Sequence, residues 1–192
     1  MPYSVESSSE GCYEGTNVLI NKLDIRDDHQ LAEVESVITT TMITMLLSEP
    51  YDGDFTAEHY RDIHRRIMGS IYDRAGEVRT VDLSKKGTRF HSAEGLERAM
   101  QLLFDHLNEQ NCFLGLPHDE YAAQIAEFYS DLNLLHSFRE GNGRAERVLI
   151  AQLVERAGCS IDLSECDKDL MMIATIQAAH GVLDHLRDFL LM

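Results

Sequence analysis

A histidine, two carboxylates, a pair of glycines and three arginines fall within one short stretch, His136-Ser137-Phe138-Arg139-Glu140-Gly141-Asn142-Gly143-Arg144-Ala145-Glu146-Arg147. Gly141-Asn142-Gly143 stands where a loop enters a predicted helix. Glycines at such an entry let successive backbone N–H groups converge, and the positive end of the helix dipole reinforces them, which makes a cradle for an anion. Arg144 and Arg147 are three residues apart and so share one helix face. Their guanidinium groups are planar, permanently charged donors suited to phosphate oxygens. Two of them beside a cradle match the several phosphates of a nucleoside triphosphate. Glu140 precedes the cradle, and a carboxylate next to bound phosphate is unfavourable unless a cation lies between them; Mg²⁺ is the simplest completion. Imidazole titrates near neutrality, which suits His136 to take a proton from an attacking hydroxyl. Phe138, between polar neighbours, is expected to point inward and anchor the loop. A Gly-Asn-Gly turn alone is usually only a turn; the register of the histidine, acid and arginines gives it chemical meaning.

The elements that must hold these groups read as helical. Asp27 and Asp28 offer N-caps for a helix with Leu31, Val34, Val37, Ile38 and Met45 on its apolar side, broken by Pro50 and Gly53. Thr56 caps a second, on which Tyr60, Ile63, Ile67 and Ile71 recur until Gly76, with His64 among them as a structural histidine. Val78, Thr80, Val81 and Leu83 are strand formers, followed by Ser84-Lys85-Lys86-Gly87 and Thr88-Arg89-Phe90, which predicts a short hairpin. Ser92 caps a helix with Leu96, Ala99, Met100, Leu103 and Leu107. Asp119 opens another, with Tyr121, Ile125, Phe128, Leu132 and Leu135. After the loop Ser137 to Gly141 a further helix runs from about Asn142 to Ala157, stopped by Gly158. Asp167 begins a last amphipathic helix through Ile173, Val182, Leu186 and Phe189. The fold class is all-α, about six to eight helices with one hairpin. Residues 1–17 read as a loose arm and 18–192 as a single domain.

Composition sets the outer bounds. At 192 residues the chain is long enough for one self-sufficient core. Its glycine and proline content is low (12 and 3 residues), which favours long helices over many short strands. The net charge of −16 argues against a surface that grips nucleic acid or an anionic membrane. A site for an anionic ligand must therefore be made positive locally. Cys12, Cys112, Cys159 and Cys166 have no CxxC spacing, and the polar start is no secretory signal, so reduced thiols and a cytoplasmic location are expected. No run of apolar residues is long enough to span a membrane. His91, His106, His118, His180 and His185 show no metal-ligand pattern, and Met42, Met45, Met171 and Met172 read as core fillers.

The motif resembles that of the Fic family, written HxFx(D/E)GNGRxxR, and His136, Phe138, Glu140, Gly141, Asn142, Gly143, Arg144 and Arg147 match its fixed positions. Ser137 stands where a proline is common. Tyr72-Asp73-Arg74-Ala75-Gly76 is similar to the family's Tyr-Asp-Trp-Ala-Gly stretch, with Arg74 replacing the tryptophan. The hairpin after it looks like the family's flap, and the opening Tyr13 to Leu19 is similar to bacterial members too. The resemblance implies the all-helical Fic fold and AMP transfer from ATP to a protein hydroxyl (AMPylation). His136 would deprotonate the target Ser, Thr or Tyr, and Glu140 would hold Mg²⁺ on the α- and β-phosphates. Gly141, Asn142 and Gly143 would cradle phosphate, and Arg144 and Arg147 would take the β- and γ-phosphates. The flap residues Ser84, Lys85, Lys86, Gly87 and Thr88 would dock the target by strand addition. The phosphorylating Doc branch carries a lysine at the position of Gly143, so the glycine favours nucleotidyl transfer.

Fic proteins are commonly restrained by a helix with the pattern (S/T)xxxE(G/N), whose glutamate pairs with the second motif arginine. The Glu-Gly pairs here, at Glu10, Glu14, Glu94 and Glu140, have Glu6, Glu10, Phe90 and His136 four residues earlier, none of them Ser or Thr. By resemblance to the toxin–antitoxin class, a small helical partner is expected to supply the glutamate to Arg147. Two other readings stay open on sequence: a transferase with another diphosphate donor (UMP or phosphocholine transfer), and a non-catalytic nucleotide-sensing module. The intact His136 disfavours the module, since phosphate binding alone needs no base.

Overall fold

The computed structural model describes residues 10–85, 88–159, 161 and 168–190. Seven α-helices and one hairpin order the described residues: α1 (Asp28–Leu47), α2 (Ala57–Met68), β1 (Ser84–Lys85), β2 (Thr88–Arg89), α3 (Leu96–Glu109), α4 (His118–Leu135), α5 (Asn142–Arg156), α6 (Lys168–Ala178) and α7 (Asp184–Leu190), with a 3₁₀ turn at Asn111–Phe113. This is the all-α architecture expected. The caps are local chemistry: Asp27 accepts from the Gln30 N–H at 2.8 Å and Thr56 from the His59 N–H at 3.1 Å, each satisfying a donor that a helix start leaves open.

The largest helix–helix interface joins α2 to α5. Tyr60, Ile63 and Ile67 of α2 are buried there with Val148, Leu149 and Leu153 of α5. α4 lies against α3, α5 and α7, contributing Tyr121, Ile125, Phe128, Leu132 and Leu135, all buried as their spacing predicts. Aromatic rings knit this core to the loop after α4. Tyr60 packs on Phe104 (centroids 5.6 Å apart) and on Phe138 (5.0 Å), and Phe138 is fully buried, the anchor expected of it.

Four local expectations are corrected. On α1, Val37 (70% exposed) and Met45 face solvent, while Leu31, Thr39 and Leu46 are buried. The inward face runs through Leu31, Glu35 and Thr39 because two polar side chains on it serve α5. The hairpin is shorter than the strand formers imply: Ser84 pairs with Arg89 and Lys85 with Thr88, whereas the Arg79 N–H bonds the Ser137 carbonyl (2.9 Å) instead of a second strand. α3 begins not at Ser92 but after Gly95, which takes φ 78°; Ser92 donates instead to Asp82. The single last helix is two, α6 and α7, parted at Gly181 with φ 86°, where the Val182 N–H turns back to the Gln177 carbonyl (3.0 Å). Asp167 and Cys166 lie outside the described residues.

Of the expected arm, residues 1–9 lie outside the described residues. From Glu10 onward the chain forms a tight turn in which Cys12 bridges Leu19, the Ile20 N–H bonds the Gly11 carbonyl, and Val18 is buried in the core.

Candidate active site

Helix α4 ends at His136, which caps it in the left-handed conformation (φ 48°), and the chain re-enters a helix at Asn142. A non-glycine residue in that conformation is strained, so it persists only where its surroundings fix it. Three neighbours do so. Asn133 offers its carbonyl to Nδ1 (3.3 Å), and Phe90, just past β2, stacks on the imidazole with centroids 3.8 Å apart and planes 5° from parallel. Arg79 holds the backbone: its Nε donates to the His136 carbonyl at 2.7 Å.

The loop between the helices is closed by its own asparagine. Asn142 Oδ1 accepts from the Phe138 N–H (2.8 Å) and Nδ2 donates to the Phe138 carbonyl (2.7 Å). The Asn142 side chain, expected to face phosphate, is instead fully buried in this pair. Its backbone N–H and that of Gly143 open α5, where no carbonyl of an earlier turn receives them. Gly141 takes φ 78°, and a Cβ there would stand 3.0 Å from the Met68 side chain and 3.1 Å from His64 Nε2, so both backbone and space demand glycine. His64 is the structural histidine expected. Gly76 donates its N–H to Nδ1 (2.8 Å), which leaves the proton on Nε2 to bond the Glu140 carbonyl (2.8 Å). Burial holds this ring well below the ordinary histidine range, at about 4.

The two motif arginines are used differently. Arg144 reaches across to α1, ion-paired with Glu35, donating to Thr39 Oγ1 (3.2 Å) and standing 3.7 Å from Glu140 Oε1. Tyr72 donates to the other Glu35 oxygen at 2.7 Å; burial and that carboxylate push its hydroxyl up, so it stays a donor. Arg147 lies along the first turn of α5, where a Cβ at Gly143 would meet its Nη1 at 3.6 Å. No ion pair engages Arg147 among the described residues, which leaves its charge beside the open N–H groups. Glu140 accepts from the Gly141 N–H (3.0 Å). Among the described residues no three His, Cys, Asp or Glu side chains converge as a metal cage. One carboxylate beside a phosphate cradle instead fits the way Mg²⁺ binds, with substrate phosphates completing its shell.

In the flap, Ser84, Lys85 and Thr88 lie in the paired strands and Thr88 is buried; Lys86 and Gly87 lie outside the described residues. Sequence reasoning missed Arg79, Glu35, Thr39, Tyr72 and Phe90. Glu35 and Thr39 had a signal, at helical spacing from Leu31, which an apolar count skips. Arg79 had a weaker one, a lone cation among strand formers.

A family model described as Fic/DOC family matches residues 54–154. The chain belongs to this family. Among its relatives is the protein adenylyltransferase VbhT of Bartonella schoenbuchensis, 32% identical over 178 residues. That alignment covers 88% of this chain and 37% of VbhT, so the chain spans little over a third of that relative's length. The probable protein adenylyltransferase y4lH of Sinorhizobium fredii is also 32% identical, over 88% of each chain. The BepC protein of Bartonella tribocorum, solved with bound AMPPNP, has 27% identity and a TM-score of 0.87, covering 94% of each chain. An N-terminal Fic domain from Bartonella quintana, solved with ADP, has 28% identity and the same TM-score. The Fic fold expected from the motif is thereby shown for this Fic/DOC chain.

Proposed function

We propose that this chain is a protein adenylyltransferase, moving AMP from ATP to a Ser, Thr or Tyr hydroxyl of a target protein. The observation that carries it is the placing of His136 at the mouth of the loop that opens α5, with Arg147 along that helix's first turn. Relatives named as protein adenylyltransferases and nucleotide-bound Fic neighbours support the reading. His136 takes the proton as the target oxygen bonds to the α-phosphorus, and the bond from that phosphorus to the oxygen bridging to the β-phosphate breaks. Pyrophosphate leaves with the electron pair. The N–H of Gly143, at the open start of α5, holds phosphate oxygen as charge develops. Arg147 takes the terminal phosphates, and Arg144 adds charge while orienting Glu140. Glu140 would hold Mg²⁺, which neutralises phosphate charge when bound.

The target segment adds as a strand along the flap in which Ser84 and Lys85 pair with Arg89 and Thr88. Restraint, in this reading, comes from a small helical partner whose glutamate pairs with Arg147 and competes with the terminal phosphate. The absence of the inhibitory motif from this sequence, and of any ion pair to Arg147 among the described residues, supports that part. A cytoplasmic setting agrees with the free Cys12, Cys112 and Cys159 and with the lack, among the described residues, of a helix able to cross a membrane.

The test is incubation of the purified chain alone with Mg²⁺, cell lysate and ATP labelled at either the α- or the γ-phosphate. Label should pass to protein from the α position and not from γ. Transfer from γ only, or from neither, would overturn adenylyl transfer. An inactive chain that wakes on trimming its own termini would overturn the separate partner.

A further inference from the structure

Arg79 is 4% exposed, and among the described residues no carboxylate meets it at bonding distance. Its guanidinium is spent on backbone carbonyls from two parts of the chain. Nε donates to His136 (2.7 Å) and Nη2 to Leu135 (3.1 Å), the last carbonyls of α4. A helix C-terminus presents such carbonyls without partners and carries the negative end of the dipole, so a cation there is held strongly. Nη1 donates to Val81 (2.6 Å), ahead of β1, and Nη2 also bonds His91, just beyond β2. The Arg79 N–H adds a bond to the Ser137 carbonyl (2.9 Å), and the His91 N–H a further one to Leu134 (2.9 Å). One buried cation therefore ties both legs of the hairpin to the residue that bears the imidazole. Phe90 stands between the Arg79-bonded His91 and β2, with its ring flat on His136.

We propose that Arg79 is a positioning residue: it locks the root of the hairpin to the His136 backbone, and Phe90 transmits that lock to the plane of the imidazole. The target-docking strand and the base then form one rigid unit, so a hydroxyl delivered along the hairpin arrives at a base already in place. Only arginine has the planar fork that reaches carbonyls on both sides; an ammonium keeps the charge but not the bridge. The kinetic part of the inference rests on the adenylyl-transfer reading, while the geometric part does not.

The test uses the full chain with ¹³C,¹⁵N-labelled histidine. In the parallel stack the Phe90 ring current displaces the His136 ring protons upfield. Phe90→Leu should abolish that displacement, which also identifies the signal, and Arg79→Lys should diminish it while ATP affinity stays within about twofold. Misplacing a reacting group by ~1 Å can cost ~100-fold, so α-label transfer should fall about tenfold or more in Arg79→Lys, in kcat rather than in KM for ATP. A wild-type displacement and wild-type transfer in Arg79→Lys would overturn the proposal. So would a loss of transfer matched by an equal loss of ATP affinity. If Arg79→Lys fails to fold, Phe90→Leu decides: it leaves the carbonyl bonds in place and should still lower kcat, and an unchanged kcat refutes the coupling. A wild-type chain that transfers no label defeats the functional reading alone, because the displacement is measured without turnover.

Discussion

Protonating His64 would destroy the acceptor that receives the Gly76 N–H and force a charge into the contact between α2 and the loop before α5. The ring titrates near 4 when folded, because burial penalises its charged form, against ~6.5 in an unfolded chain. Between those values the unfolded chain binds a proton that the folded chain refuses, so stability falls as the pH drops from about 6.5 to 4. The full contribution is on the order of 3 kcal/mol. Urea midpoints of the wild type and of His64→Gln across that window should differ in slope, the variant being flatter. Equal slopes would mean that the buried ring contributes nothing to the pH dependence. The histidine of the motif was legible as chemistry because its neighbours had fixed spacing. His64 was legible only as core, since nothing in α2 records that its partners lie at Gly76 and Glu140.

Between elements, the pair Glu35–Arg144 joins α1 to α5, with side chains 13% and 20% exposed. Removing one charge from such a pair strands the other in a poorly hydrated place. Glu35→Gln should therefore cost about 2 kcal/mol, below the ~3–5 kcal/mol of a fully buried pair. Arg144→Met should cost a similar amount, and Glu35→Gln with Arg144→Met, which keeps an acceptor for Tyr72, should cost clearly less than the sum, read as the coupling in a double-mutant cycle of urea midpoints. Additive losses would show that the contact is not energetically joined. α1 also shows why its phase was misread. Periodicity counts apolar residues, but this helix turns Glu35 and Thr39 inward to serve an arginine more than a hundred residues away in sequence. The hairpin was misread for a related reason: Val78 to Leu83 have strand formers, yet the Arg79 side chain claims the carbonyls that a longer ladder would have used. α2, α4 and α5 were legible because their buried faces are almost wholly apolar and their caps or glycine stops are local.

At the scale of the molecule, a chain of net charge −16 that is proposed to bind a polyanion must be made positive locally, at the site itself. Arg147 lies beside Gly143 in the first turn of α5, Arg144 is tied to Glu35 of α1, and the hairpin reaches His136 through the Phe90 ring. In the proposed reaction this division would separate binding from proton removal: α5 would hold phosphate, while His136 would act as base from the end of α4. Replacing His136 by alanine should therefore spare the first and abolish the second. Calorimetry of ATP with Mg²⁺, run beside α-label transfer on the same His136→Ala preparation, tests this most directly. The dissociation constant should stay within about threefold of wild type while transfer falls by ~100-fold or more, the usual worth of a general base. Transfer at the wild-type rate by His136→Ala would contradict the account.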